Sequence, residues 1–123
     1  MKTKIDEIVI DGQTYVPKSE INKLAEPLND MPFVMCRTYS AGVFFGYMKS
    51  RVEKEVELLK ARRVYYWAGA ASLSQLSTEG TSKPNECKFP CEVERVILTE
   101  VIEIDFITEK AKSILNNVPI WKQ

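Results

Sequence analysis

Three runs of strand-forming residues follow one another with almost nothing between them: Phe33 to Tyr39, Val43 to Val52, and Glu55 to about Trp67. The links are Ser40-Ala41-Gly42 and Glu53-Lys54. Parallel neighbours need a crossover of about a dozen residues or more, so links this short leave only antiparallel pairing. The middle of the chain is therefore committed to an antiparallel meander. Gly42 supplies the permissive backbone of the first turn, and Gly46 inside the second run predicts a bulge or a close backbone approach.

The flanking segments make the class α+β. Ser72-Leu73-Ser74-Gln75 is a capping-box pattern that predicts a helix to Thr78 or Glu79, with Gly80 ending it. Thr81 to Cys91 contains two prolines and reads as a loop. Val93 to Ile107 reads as one long strand whose even positions, Val96, Leu98, Ile102, Ile104 and Phe106, form an apolar face interrupted by Glu100. A buried, unpaired carboxylate is costly, so Glu100 should pair with an arginine, sit at a bulge, or face a ligand or partner subunit; a salt bridge to Arg62 or Arg63 is the expectation. Thr108 caps a last helix carrying Ala111, Ile114, Leu115 and Val118, and the tail Pro119-Ile120-Trp121 packs back.

Upstream, Asp11-Gly12 between Ile8/Ile10 and Tyr15-Val16-Pro17 is a strong hairpin signal, because a type I′ turn needs positive φ at both central positions. Ser19 then caps a short helix with Ile21, Leu24, Ala25 and Leu28 on one side. The expected architecture is an α+β fold: a twisted antiparallel β-sheet with two short helices and an N-terminal hairpin extension. Residues 1–30 form an arm, and 31–123 form the ligand-binding domain. A sheet this small leaves open edges, which together with the unmatched Glu100 predicts a homo-oligomer, a dimer or a higher multiple.

Charge and composition remove whole classes of function. Seventeen basic residues balance seventeen acidic ones, so no global field draws the chain to a nucleic-acid polymer or an anionic membrane. No apolar run approaches a membrane span, and the start has no apolar signal core, which predicts a cytosolic protein. The chain has no histidine, so it lacks the commonest general base and the commonest metal ligand. Its three cysteines are expected to be reduced, with no metal and no cofactor.

Candidate site residues come from the stretch "RRVYYWAGAASLSQLSTEG", residues 62 to 80. By strand alternation Arg62, Val64 and Tyr66 share one face, while Arg63, Tyr65 and Trp67 share the other. The strand then runs through small residues into the helix capped by Ser72, whose free N–H groups favour an anion. Guanidinium groups match phosphate, and aromatic faces stack on bases. Arg37, Tyr39 and Ser40 repeat the pairing of cation and ring at the Gly42 turn. Phe89, in a loop between Lys88 and Pro90, is expected to act as a lid or a partner contact. Strands that carry rings inward and arginines outward are also common in proteins that bind nothing.

The segments "RTYSAGVFFGYMKSR", "ARRVYYWAGAASLSQLSTEGTSKPNECKF" and "VILTEVIEI" resemble a family of small bacteriophage proteins, the first described type of Thoeris anti-defence protein. The resemblance extends from about residue 33 to the end; the hairpin looks like a variable extension. It implies a protein that sequesters, without cleaving, cyclic ADP-ribose isomers made by bacterial TIR-domain enzymes, and in some members cyclic oligonucleotides of the related CBASS defence. It implies sites between subunits of an oligomer in the host cytoplasm, with Arg63 and Phe89 carried over as ligand contacts and Thr99 as a polar contact to a base. Glu109 falls where a further basic residue is expected, a departure that bears on which ligand is bound.

The expected protein is thus a non-catalytic binder, not an enzyme, of a cyclic nucleotide-type signal through Arg37, Tyr39, Ser40, Arg63, Tyr65, Trp67, Ser72, Phe89 and Thr99. A nucleotide-cleaving enzyme would use the acids Glu100, Glu103 and Asp105, although Glu100 lies on the opposite strand face from the other two. A structural or interaction module of a phage particle is the third reading.

Overall fold

The computed structural model describes residues 8–10, 13–15 and 23–123. β1 (Ile8–Ile10) and β2 (Gln13–Tyr15) pair antiparallel. The Asp11-Gly12 turn type and the capping of a helix by Ser19 lie outside the described residues. From Lys23 the expected arm helix is absent: Leu24 bridges Thr108, the Ala25 N–H donates to the Ile107 carbonyl at 3.0 Å, and Leu28 bridges Met31. Ile107 and Thr108 offer open backbone groups at the end of a strand, and Pro27 cannot sustain a helical ladder, so the segment pairs instead of coiling.

The meander forms as its links require. β3 (Phe33–Thr38), β4 (Val43–Val52) and β5 (Glu55–Val64) lie side by side, all antiparallel. β5 ends three residues before the expected Trp67, and Tyr66 makes only an isolated bridge to Lys88. Gly46 meets both expectations for it. The β4–β5 register shifts between Phe45 and Tyr47, and a Cβ at Gly46 would stand 2.9 Å from the Leu59 carbonyl oxygen and 3.0 Å from the Ala61 Cα.

The expected long strand from Val93 to Ile107 is instead two strands. β6 (Val93–Leu98) pairs with β5 and β7 (Val101–Phe106) pairs with β3, giving the order β6-β5-β4-β3-β7. Only Thr99 and Glu100 join the two outermost strands. Four strand spacings in a flat sheet make about 19 Å, whereas the three peptide units from Leu98 to Val101 reach about 11 Å. The sheet must therefore curl until its edges meet. Two hydrogen bonds seal that corner: Val101 N–H to the Lys54 carbonyl (3.0 Å) and Tyr39 N–H to the Glu100 carbonyl (2.9 Å).

Curling divides the core in two. Inside the curl, Val34, Cys36, Phe44, Val56, Leu58, Ala61, Leu98 and Val101 bring all five strands together. On the outer face Phe33, Met35, Phe45 and Val64 pack under α1 (Leu73–Glu79), α2 (Glu109–Asn116) and the 81–91 loop, through Leu73, Leu76, Phe89, Ala111 and Leu115. Both helix caps form as expected: the Ser72 hydroxyl accepts from Gln75 N–H (3.2 Å) and the Thr108 hydroxyl from Ala111 N–H (3.1 Å). Thr108 also donates to the Thr78 carbonyl at 2.6 Å, tying the start of α2 to the end of α1. Among the described residues no helix is long and apolar enough to cross a membrane.

Candidate functional site

The two neighbouring arginines of the quoted strand have opposite surroundings. Arg62 is 5% exposed and points to the helix face. Its Nε donates to the Pro90 carbonyl (3.0 Å), Nη1 to those of Val118 (3.0 Å) and Leu115 (3.5 Å), and Nη2 to that of Phe89 (2.8 Å). Leu115 is in the last turn of α2, where unsatisfied carbonyls and the negative end of the helix dipole favour a cation. Burial pushes the pKa of this guanidinium down from its ordinary value, and nearby Glu92 opposes the shift. All three nitrogens of the Arg62 guanidinium thus donate into the fold.

Arg63, one residue on, is exposed. Its Nη1 donates to the Ala41 carbonyl at 2.6 Å, and its guanidinium lies 4.3 Å from the centre of the Phe44 ring. Among the described residues no carboxylate pairs with it. Ser40 and Tyr39 belong to the same turn: Tyr39 is 79% exposed, and the Ser40 hydroxyl donates to Glu100 Oε1 at 2.8 Å. Glu100 is therefore an exposed residue of the sheet corner, not the expected salt-bridge partner of Arg62 or Arg63. The even-position stripe is corrected with it. Val101 is buried while Ile102 and Phe106 are half exposed; the β3–β7 register shifts between Arg37 and Thr38, which leaves Ile102 without a partner and breaks the alternation there.

Arg37, Trp67 and Ser72 come together elsewhere, around a hollow of about 350 Å³ shared with Val43, Leu73 and Glu103. Arg37 lies 3.6 Å from the Glu103 carboxylate, and Trp67 Nε1 donates to the Ala70 carbonyl at 3.1 Å. An anion entering here would have to displace a carboxylate. The helix start is partly occupied as well, since Gln75 Oε1 accepts from Ala71 N–H at 2.8 Å.

Phe89 is not an exposed lid. It is fully buried, edge-on to Phe45 at 5.7 Å and 5.5 Å from the Arg62 guanidinium, so it has no ring face open to a base. The loop's own hydrogen bonds to Arg62 and the tail fold it inward. Thr99 lies in a broad depression with Arg51, Glu53, Lys54 and Glu55, where charges of both signs mix. Tyr65 is 63% exposed and stacks on Trp121. An apolar hollow of about 390 Å³ between Leu24, Pro27, Phe33 and Phe106 holds none of the expected residues.

Two acidic groups are pushed above their ordinary values. Burial, then a hydrogen bond and charge from Glu103, push the Asp105 carboxyl up to about 6, and its Oδ2 is inaccessible without a partner. Burial and, secondarily, Asp105 push the Cys36 thiol up to about 12. Among the described residues no three His, Cys, Asp or Glu side chains gather as a metal set. The acids Glu103 and Asp105 stand together on β7, and Glu100 turns away to Ser40.

The buried Arg62 carried a signal in sequence: two consecutive arginines alternate across a strand, so they cannot share its solvent face and one must turn toward whatever packs on the other. Trp121 and Lys88 beside Tyr65 had no comparable signal, because only the folded tail brings them there.

No curated protein and no solved structure matches this chain. Residues 31–115 match the family described as a domain of unknown function (DUF6948), a span that takes in the whole curled sheet, α1 and nearly all of α2, and the chain belongs to that family.

Proposed function

We propose that the chain is a phage anti-defence protein that binds and sequesters, without cleaving, a cyclic nucleotide-type immune signal such as a cyclic ADP-ribose isomer or a cyclic oligonucleotide, acting as a homo-oligomer in the host cytoplasm. The observation that carries this reading is Arg63: an exposed guanidinium, pre-positioned by the Ala41 carbonyl and the Phe44 ring, with no described carboxylate paired to it. A phosphate meeting this group neither displaces an acid nor orders a loose side chain, and both economies favour binding. Tyr39 and Tyr65 supply exposed rings on either side in sequence. Sequestration needs charge neutralisation and stacking but no aimed nucleophile, which suits a chain without histidine.

The protein is mixed with a cyclic ADP-ribose isomer, filtered to remove free ligand, and heated to denature it. Mass spectrometry of the supernatant is expected to return the ligand intact. Recovery of a cleaved product overturns sequestration in favour of the enzyme reading, for which the Asp105 carboxyl, pushed up to about 6 beside Glu103, is the specific support.

A further inference from the structure

Just past the end of the same strand, Tyr65 belongs to a cluster whose other members, Trp121 and Lys88, the Arg63 argument does not use. Tyr65 and Trp121 stack with ring centres 4.9 Å apart and planes 13° from parallel. Trp121 is held by its backbone, its N–H donating to the Phe89 carbonyl at 2.9 Å beside a parallel bridge from Ile120 to Phe89. Lys88 is fixed just as firmly. Its carbonyl accepts from the N–H groups of Tyr65 (3.1 Å) and Tyr66 (3.2 Å), and its N–H donates to the Tyr66 carbonyl (2.8 Å). The Lys88 ammonium lies 5.6 Å from the Trp121 ring and 5.9 Å from the Tyr66 ring, and among the described residues no carboxylate pairs with it.

Tyr65 and Tyr66 are 63% and 52% exposed, so the stack is filled on one side and open on the other. Four backbone hydrogen bonds hold the segments that carry these side chains before any ligand arrives, which removes part of the ordering cost of binding. A flat ring laid against Tyr65 would be desolvated on one face, and the Lys88 ammonium near Trp121, with no described carboxylate paired to it, selects for negative charge beside the stack. We propose that Tyr65, Trp121 and Lys88 form a stacking platform for a planar heteroaromatic ring that carries a phosphate, the base end of a nucleotide. The ligand class rests on the sequestration reading; the site is additional to Arg63.

Adenosine 5′-monophosphate is the probe. The chain has two tryptophans, so Trp67→Phe leaves Trp121 as sole reporter; calorimetry on the unaltered chain serves if that variant folds poorly. Adenosine monophosphate is expected to quench Trp121 saturably with a dissociation constant of about 1 mM or tighter, and inorganic phosphate is expected to leave emission unchanged. Lys88→Gln should weaken the nucleotide about tenfold while leaving adenosine alone, and Tyr65→Ala should abolish both. Absence of saturable quench or heat up to about 10 mM overturns the platform, as does equal binding by the two variants. Loss of a dimer in Lys88→Gln, seen by sedimentation, makes the patch an interface between copies and also overturns it. Should a cyclic ADP-ribose isomer bind in an Arg63-dependent way while adenosine monophosphate gives no saturable quench or heat, the platform fails and sequestration stands. Should adenosine monophosphate still quench while cyclic ligands do not bind, the platform stands and sequestration fails.

Discussion

Arg62 and Phe89 are joined twice, by a 2.8 Å hydrogen bond from Nη2 to the Phe89 carbonyl and by the guanidinium lying 5.5 Å from the Phe89 ring. The same side chain reaches Pro90 and the end of α2, so one cation fastens the 81–91 loop and the C-terminal helix to β5. Removing it leaves several carbonyls without a donor in a region closed to water, and each buried unsatisfied group costs about 1 to 3 kcal/mol. Arg62→Ala is expected to lower unfolding free energy by about 3 kcal/mol or more in urea titration. Arg62→Lys should recover little, because a single ammonium cannot reach carbonyls on both the loop and the helix end.

Arg63 behaves oppositely because its guanidinium is itself exposed and the Ala41 carbonyl that it meets is open to water, although the Phe44 ring beneath it is buried. Arg63→Ala gives up one hydrogen bond to a carbonyl that water can replace and one exposed cation–π contact, about 0.5 to 1 kcal/mol together. Its melting temperature should stay within a few degrees of the parent. Binding of the cyclic nucleotide-type ligand should fall about tenfold to a hundredfold by calorimetry, the usual loss for a charge-assisted phosphate contact. A variant that unfolds, or that binds normally, assigns Arg63 to structure alone.

The meander, both helix caps and the special status of Gly46 were legible because each rests on local chemistry: link length, a hydroxyl beside free N–H groups, a missing Cβ. The division of Val93–Ile107 was not. Thr99-Glu100 carries no glycine or proline, and the break comes from the sheet closing on itself, a property of all five strands together. The Phe89 error has the same origin. A loop position suggests exposure, but the ring is drawn inward by Arg62, which lies 27 residues earlier in the chain. At the candidate site, alternation separated Arg62 from Arg63 correctly but did not say which of the two was buried.

The three cysteines differ enough for chemistry to separate them. Cys36 and Cys87 are buried and Cys91 is exposed; burial also holds the Cys36 thiol up to about 12. A thiol must ionise and be reached to react. A disulfide reagent at pH 8 should titrate one thiol in the native protein and three in denaturant, and Cys91→Ser should remove the fast native phase. Fast modification of two or more native thiols would show that the curl or the 81–91 loop opens readily.

Asp105 makes a pH-dependent prediction with a definite sign. Its carboxyl is pushed up to about 6 from an ordinary 3.8, chiefly by burial and then by Glu103, which itself lies against Arg37; Cys36 is the other titratable group close by. Between those two values the folded protein holds a proton that the unfolded chain releases. Stability contributed by the neutral form is therefore full below about pH 4, falls as pH rises toward 6, and stays at the lower level above. Asp105→Asn keeps a neutral polar group in place at every pH, and the absence of histidine leaves few other groups titrating near 6. The variant should match the parent at pH 4 and exceed it by about 1 kcal/mol at pH 8, well short of the full linkage value because the residue is only half-buried. Urea titrations at the two pH values decide it: an Asn variant that is less stable at pH 8 means that the ionised carboxylate is held by a favourable partner, and the sign argued here is reversed.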